Sequence, residues 1–132
     1  MSLEIAERTR EGVVILALKG RLTVAEASSL HGKANQVLAS GCPNLVLDLS
    51  GVDYIDSMGL GSLVNCFTSA KKAGGALKLL SLTKRNVELL LLTKLHTVFE
   101  VFAEEEDAVN SFFPDRVVKR LDILNFVQQQ EI

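Results

Sequence analysis

Apolar and polar residues follow two different periods along this chain, one typical of strands and one typical of helices. Continuous apolar runs between turn residues predict buried strands, and apolar residues three and four positions apart predict one face of a helix. The pattern predicts these elements in chain order: strands at 3–10 and 13–18, a helix at 24–39, a strand at 45–49, a helix at 58–72, a strand at 76–81, a helix at 83–92, a strand at 98–102 and a helix at 104–113.

Strands that alternate with helices predict crossover units and therefore a largely parallel sheet. The first two strands are separated only by Glu11-Gly12, which predicts a tight hairpin turn. We therefore expect an α/β fold in a single domain at 1–113, with a mixed, mostly parallel sheet, an N-terminal hairpin and helices.

The residues after Pro114 predict an additional C-terminal helix at 114–132. Its apolar face is formed by Val117, Leu121 and Leu124, followed by Gln128. An amphipathic terminal helix of this kind is expected to cover an exposed sheet edge or groove of its own domain. A contact with another molecule is the alternative.

Residues 53–64 are the most informative segment of the chain, because they connect a predicted buried strand to a predicted helix by a short polar turn. Leu60, Leu63, Val64 and Phe67 have the spacing of a helix face, which places Ser57 at or next to the helix N-cap. Capping alone is a sufficient structural role for a serine in this position. The bare glycines of the first turn would in addition let another backbone approach.

The segment Asp56-Ser-Met-Gly-Leu-Gly61 after a buried strand resembles the signature of STAS domains, in particular of the bacterial anti-sigma factor antagonists. The resemblance covers about residues 3–113 and includes Leu18-Lys-Gly-Arg-Leu22 before the first helix. It implies that Ser57 is a phosphorylation site. Asp56 would then orient the Ser57 loop, Gly59 and Gly61 would allow close docking of a partner, and Asp53 and Met58 would line the contact surface.

The resemblance also implies a function and a set of partners. The unmodified protein would capture an anti-sigma factor and so release a sigma factor to RNA polymerase. The anti-sigma factor would also be a serine kinase that uses ATP and magnesium, and a serine phosphatase would reverse the modification. Nucleotide and metal would belong to the partner, so no cofactor is expected. The alternative is a STAS module in a lipid-transport or stressosome-like assembly without phosphorylation of Ser57.

Two positions depart from the family pattern. Thr23 stands where many members have aspartate, and it could contribute to partner binding or form a capping box with Glu26 at the start of the next helix. Met58 stands where many members have a second serine. Ser57 is consequently the only hydroxyl at the tip of the segment.

Composition narrows the classes of function. The chain has 132 residues, of which 48% are hydrophobic and 23% charged, as in ordinary globular domains. Its net charge of −2 and the lack of a dense Lys/Arg stripe disfavour nucleic-acid binding. No apolar run reaches membrane-spanning length, no cleavable leader opens the chain, and Cys42 and Cys66 are too few for a disulfide framework. We expect a cytoplasmic protein that is a monomer or a weak dimer.

Enzyme chemistry finds little support in the sequence. A serine nucleophile needs a base within hydrogen-bond reach and an oxyanion hole, and His31 and His96 are the only histidines. The cysteines and histidines lack the spacing of metal ligands. Asp48, Asp53 and Asp56 are more simply turn and capping groups than magnesium ligands. We therefore expect a binding protein and not an enzyme.

Overall fold

The computed structural model describes residues 3–130, and side chains as far as residue 127. A five-stranded sheet carries the helices of this part of the chain. The elements are β1 Glu4–Arg10, β2 Val13–Leu22, α1 Val24–Ala39, β3 Asn44–Ile55, α2 Ser57–Lys72, β4 Ala76–Leu80, α3 Lys84–Leu92, a 3-10 turn Leu95–Thr97, β5 Val101–Phe102, α4 Glu105–Asn110 and α5 Ile123–Gln130.

The strands lie in the sheet in chain order, from β1 to β5. β1 pairs antiparallel with β2 through the turn at Glu11-Gly12, whose residues have φ of 52° and 83°. The other three pairings are parallel. The predicted single α/β domain, with a mixed, mostly parallel sheet behind an N-terminal hairpin, is confirmed.

Both faces of the sheet bury apolar side chains, as period-two alternation in a central strand requires. Leu45, Leu47 and Leu49 of β3 belong to the larger cluster, to which α1, α2 and α3 also contribute. Val46 points to a smaller cluster that includes Ala108 and neighbouring residues of α4. Among residues 3–130, none of the helices combines the length and the apolar character that crossing a bilayer would require.

β2 and β3 are longer than predicted, and the extra residues shape the candidate site. The pairing of the two strands continues to Leu22 and Ile55, with register shifts on the way. A Cβ at Gly51 would lie 2.8 Å from the carbonyl oxygen of Leu18, so the strands approach closely at the irregularity. The polar residues after Leu49, expected to form a turn, therefore belong mostly to a strand.

The chain after Pro114 corrects the predicted helical face. Val117 and Leu121 precede α5, and Val117 is 93% exposed. The backbone N–H of Leu121 instead donates to the carbonyl oxygen of Val101 at 3.0 Å, so this segment runs beside the edge strand β5. Leu124 does lie in α5, and the side chain of Gln128 lies outside the described residues. The apolar positions after Pro114 are too few for the sequence pattern to distinguish an extended segment, here called the strap (residues 115–122), from a helix.

The C-terminal segment folds back on its own chain. Leu121, Ile123, Phe126 and Val127 pack against the larger cluster. At the other end of the segment, the Arg116 guanidinium donates to both carboxylate oxygens of Glu11, at 3.0 and 2.7 Å. Within the described residues, the segment covers the β5 edge in the same molecule.

Candidate functional site

Ser57 is the first residue of α2, and its side chain is exposed. The N-cap is Asp56, with extended backbone angles, and its carboxylate accepts the N–H of Gly59 at 2.8 Å. The carboxylate therefore does the capping that the sequence assigned to the serine hydroxyl. Ser57 is held at the protein surface by a turn whose stability does not depend on the hydroxyl.

The two glycines of the first turn of α2 lie in different surroundings. Gly61 is exposed, and a Cβ added there would meet nothing within 4 Å. Gly59 is buried, and an added Cβ would lie 2.1 Å from the carbonyl oxygen of Leu22. Gly59 therefore allows α2 to approach the end of β2 closely. Of the two glycines, only Gly61 faces outward.

The loop after β2 lies against the loop after β3. The backbone N–H of Asp56 donates to the carbonyl oxygen of Leu22 at 3.2 Å, and Thr23 follows directly. Thr23 is the N-cap residue of α1, but the expected capping box is not formed. Its hydroxyl instead donates to the Glu26 carboxylate at 3.1 Å. Glu26 is a buried residue, only 8% exposed, and a buried carboxylate requires a hydrogen-bond donor.

A groove of about 210 Å³ runs between α1 and α2 beside Ser57. Its walls are formed by Ala27, Ser28, His31, Ser57, Met58, Gly61, Ser62 and Asn65. Met58 is 55% exposed, and Val24 at the start of α1 is 62% exposed. Exposed apolar side chains next to a hydroxyl and an open glycine form a surface suited to contact with another protein.

The predicted aspartates do not form one cluster. Asp53 is exposed near the end of β3, and Asp56 caps α2. Asp48 lies five residues before Asp53 in the same strand, about 16 Å away at the usual strand rise. Its carboxylate is 3.8 Å from Arg8. The structure therefore does not gather the three carboxylates at one place.

The structure also brings together three residues that the sequence did not single out as a site. The guanidinium carbon of Arg21 lies 4.6 Å from the ring centroid of Tyr54, and that of Arg85 lies 4.5 Å from it. Arg21 is the register partner of Tyr54 across β2 and β3, whereas Arg85 comes from α3. Only tertiary structure places Arg85 here, so no local pattern could have found the cluster.

Comparisons with known proteins agree on one family. The model of the STAS domain family matches residues 4–108. The anti-sigma-B factor antagonist of Bacillus subtilis (strain 168) is 31% identical over 109 residues, which are 83% of this chain and 99% of that protein. A crystal structure of a Thermotoga maritima protein, 27% identical, has a TM-score of 0.77 over 82% of this chain and 93% of that one.

A third relative, the anti-sigma factor antagonist SpoIIAA, resembles this chain in fold. Its unphosphorylated form is 19% identical, with a TM-score of 0.62 over 83% of this chain and 96% of that one. The phosphorylated form of SpoIIAA, from Bacillus, is 16% identical, with a TM-score of 0.64 over 82% and 98% of the two chains. The same fold therefore exists with and without a phosphoryl group.

Proposed function

The chain belongs to the STAS domain family, and on that premise we propose that it is an anti-sigma factor antagonist switched by phosphorylation of Ser57. In the unmodified form it binds an anti-sigma factor, and the sigma factor held by that protein is released. The anti-sigma factor is also the serine kinase that modifies Ser57, and a serine phosphatase restores binding. The name of the Bacillus subtilis relative supports this role.

The observation that carries the proposal is the position of the Ser57 hydroxyl. It is exposed on the first residue of α2, beside the groove, while the Asp56 carboxylate holds the N-cap. A kinase can therefore reach the hydroxyl without unfolding the turn. ATP and magnesium enter with the kinase, so this chain acts as a binding partner and needs no cofactor of its own.

Phosphorylation of Ser57 is compatible with the folded domain. The modification adds about −1.5 to −2 charges at pH 7. At the first residue of a helix, the open N–H groups and the dipole favour an anion. The free protein should therefore keep its fold, with little change in its melting temperature.

The same charge opposes a docked partner. A double charge about 6 Å from one partner carboxylate costs roughly 1 kcal/mol in water and about 5 kcal/mol at an effective dielectric of 20. Because 1.4 kcal/mol corresponds to a factor of ten, affinity should fall by between about tenfold and several thousandfold. Met58 and Gly61 line the groove together with Ser57, Thr23 follows Leu22 in the adjoining loop, and Asp53 is exposed near the end of β3. We assign these four residues to the contact surface.

Calorimetric titration with the anti-sigma factor kinase tests the switch. Ser57→Ala should bind constitutively, and Ser57→Asp should bind poorly while remaining folded. Gln36→Glu is the matched control, because it adds one charge at an exposed position of α1, about three turns after the loop and on the side of the helix away from the groove; it should bind like wild type. Equal affinity of wild type and Ser57→Asp, or transfer of phosphate to Ser57→Ala by the kinase, would refute the assignment.

A further inference from the structure

Arg21 and Arg85 stand apart from the other arginines of the chain. The chain has six arginines, and Arg8, Arg10, Arg116 and Arg120 each lie within 4 Å of a carboxylate. Within the described residues, Arg21 and Arg85 have no such carboxylate; both lie over the ring of Tyr54 instead. Two guanidinium groups without counter-ions are thus gathered at one place in a protein of net charge −2.

This arrangement adds little to the stability of the fold. The two guanidinium carbons are at most about 9 Å apart, because each lies about 4.5 Å from the same ring centroid. Like charges at this separation repel each other. Arg85 is also the second residue of α3, where the helix dipole disfavours a cation. The cation–π contacts with Tyr54 offset these costs, and each such contact is weak at an exposed site.

The cluster lies on the side of the domain that carries Ser57. Arg21 and Tyr54 are at the carboxyl ends of β2 and β3, and α3 begins after the carboxyl end of β4. Because these strands are parallel, their carboxyl ends share one edge of the sheet. Tyr54 is three residues before Ser57, so their Cα atoms are no more than about 11 Å apart.

We propose that Arg21, Tyr54 and Arg85 form a receptor for a carboxylate-rich segment of the protein that binds at Ser57; the identity of that protein rests on the proposed function. A guanidinium presents a planar fork of donors that matches a carboxylate. Acidic side chains two residues apart on an extended segment are separated by about 7 Å, which fits two forks at most about 9 Å apart. The receptor sets the specificity and orientation of the partner, and it adds to the affinity of the apolar groove.

Tyr54 provides a direct signal for this binding. It is the only tyrosine of the chain, which has no tryptophan, so the tyrosine fluorescence of the whole protein reports on this ring. We expect a hexaglutamate peptide, added to the intact protein at low ionic strength, to change the emission in a saturable way. Added salt should weaken the response, and hexalysine should produce none.

Variants assign the response to the two arginines. The double variant Arg21→Gln/Arg85→Gln should raise the apparent dissociation constant for hexaglutamate at least about tenfold. Arg21→Lys/Arg85→Lys should retain part of the affinity. Lys72→Gln is the control: it removes one exposed charge at the far end of α2, about 22 Å from Ser57 along the helix axis, and should bind like wild type. Circular dichroism of each variant confirms folding.

The outcomes separate this receptor from the switch at Ser57. Unchanged hexaglutamate affinity in the double glutamine variant would overturn the receptor. Binding of tripolyphosphate with higher affinity than hexaglutamate would also overturn it, because the arginines would then be assigned to a phosphate ligand. Neither result concerns Ser57. With the anti-sigma factor kinase as ligand, the double glutamine variant should bind at least about tenfold more weakly and still accept phosphate on Ser57. Wild-type affinity in that experiment would also overturn the receptor.

Discussion

Gly59 shows how one residue links the motif to the fold. A Cβ at this position would lie 2.1 Å from the Leu22 carbonyl oxygen and 3.0 Å from Cγ2 of Ile55. The first of these contacts is with backbone, which cannot move aside without shifting the end of β2. The glycine therefore lets the turn that carries Ser57 sit directly against the loop that carries Thr23.

We predict opposite effects of alanine at the two glycines of this turn. Gly59→Ala should lower the free energy of unfolding by more than about 2 kcal/mol, since the added methyl overpacks a buried backbone contact. Gly61→Ala should raise it by up to about 1 kcal/mol, because alanine favours the helix and meets nothing within 4 Å. Urea denaturation measures both. Similar effects at the two positions would contradict the packing described.

At the scale of elements, α2 is anchored by one buried face. Leu63 is fully buried in the larger cluster, and Leu63→Ala should cost about 2–5 kcal/mol of unfolding free energy. Asn65 is exposed on the same helix, and Asn65→Ala should cost well under 1 kcal/mol. Ser62 is unsuited as a control, because it is buried and its hydroxyl donates to the Gly59 carbonyl at 2.7 Å. Equal losses for Leu63→Ala and Asn65→Ala in chemical denaturation would mean that α2 docks differently.

The segment after Pro114 makes a second prediction at this scale. We propose that residues 114–132 are an extension that stabilises the 1–113 domain from which it emerges. Removing residues 115–132 deletes the Arg116–Glu11 ion pair and the Leu121–Val101 hydrogen bond, and it exposes apolar surface. The truncated protein should therefore melt at a lower temperature with an unchanged oligomeric state. A dimer that becomes a folded monomer in light scattering would instead identify the extension as an interface between copies.

The sequence predicted those elements best whose boundaries have local causes. α1 runs from Val24 to Ala39 as predicted, because apolar spacing, Thr23 before it and Gly41 after it all agree. β3 was predicted too short, since Ser50 and Gly51 interrupt the apolar run and only pairing with β2 extends the strand. The strap beside β5 was predicted as helix for a related reason, because its hydrogen bond to Val101 is a tertiary contact.

At the scale of the whole molecule, the sequence predicted the part of the candidate site that is local in the chain, and it missed the part that depends on tertiary structure. Ser57 and Asp56 are adjacent in the chain, so a local motif predicted that they share one turn. Only the structure shows which of the two residues caps α2, because aspartate and serine are both good N-cap residues. Arg21 and Arg85 are brought together through three parallel strands, and no spacing in the sequence encodes that proximity.

Ion pairs join the N-terminal hairpin to α4 and to the segment after it. Glu105 of α4 accepts from Arg8 and Arg10 of β1, and Arg116 after α4 binds Glu11 in the hairpin turn. Arg8 with Arg10 lowers the pKa of Glu105, and the hydrogen bond from Arg116 lowers the pKa of Glu11. Burial alone would raise the pKa of Glu100, but hydrogen bonds from Lys78 and Arg120 outweigh it and the pKa is lowered.

These shifts predict how stability depends on pH. A carboxyl group with a lower pKa in the folded state binds its proton more readily when unfolded, so acid favours unfolding. The contribution of the three glutamates should be complete above about pH 4.5, their ordinary pKa, and should be lost as the pH falls through their folded-state values. Denaturation at a series of pH values should therefore give a constant contribution near neutrality and a steep decline in acid.

A thermodynamic cycle assigns part of that decline to the contact between β1 and α4. Glu105→Gln should be less stable than wild type at pH 7, and its loss of stability below pH 4.5 should be shallower, because one group with a lowered pKa is gone. Replacing Arg8 and Arg10 by glutamine should have a similar effect and should in addition remove the contact of Arg8 with Asp48. Adding Glu105→Gln to that pair should change little more, since the contact with Glu105 is then already broken. Additive losses, or an acid slope equal to that of wild type, would show that these pairs do not couple the hairpin to the C-terminal part of the domain.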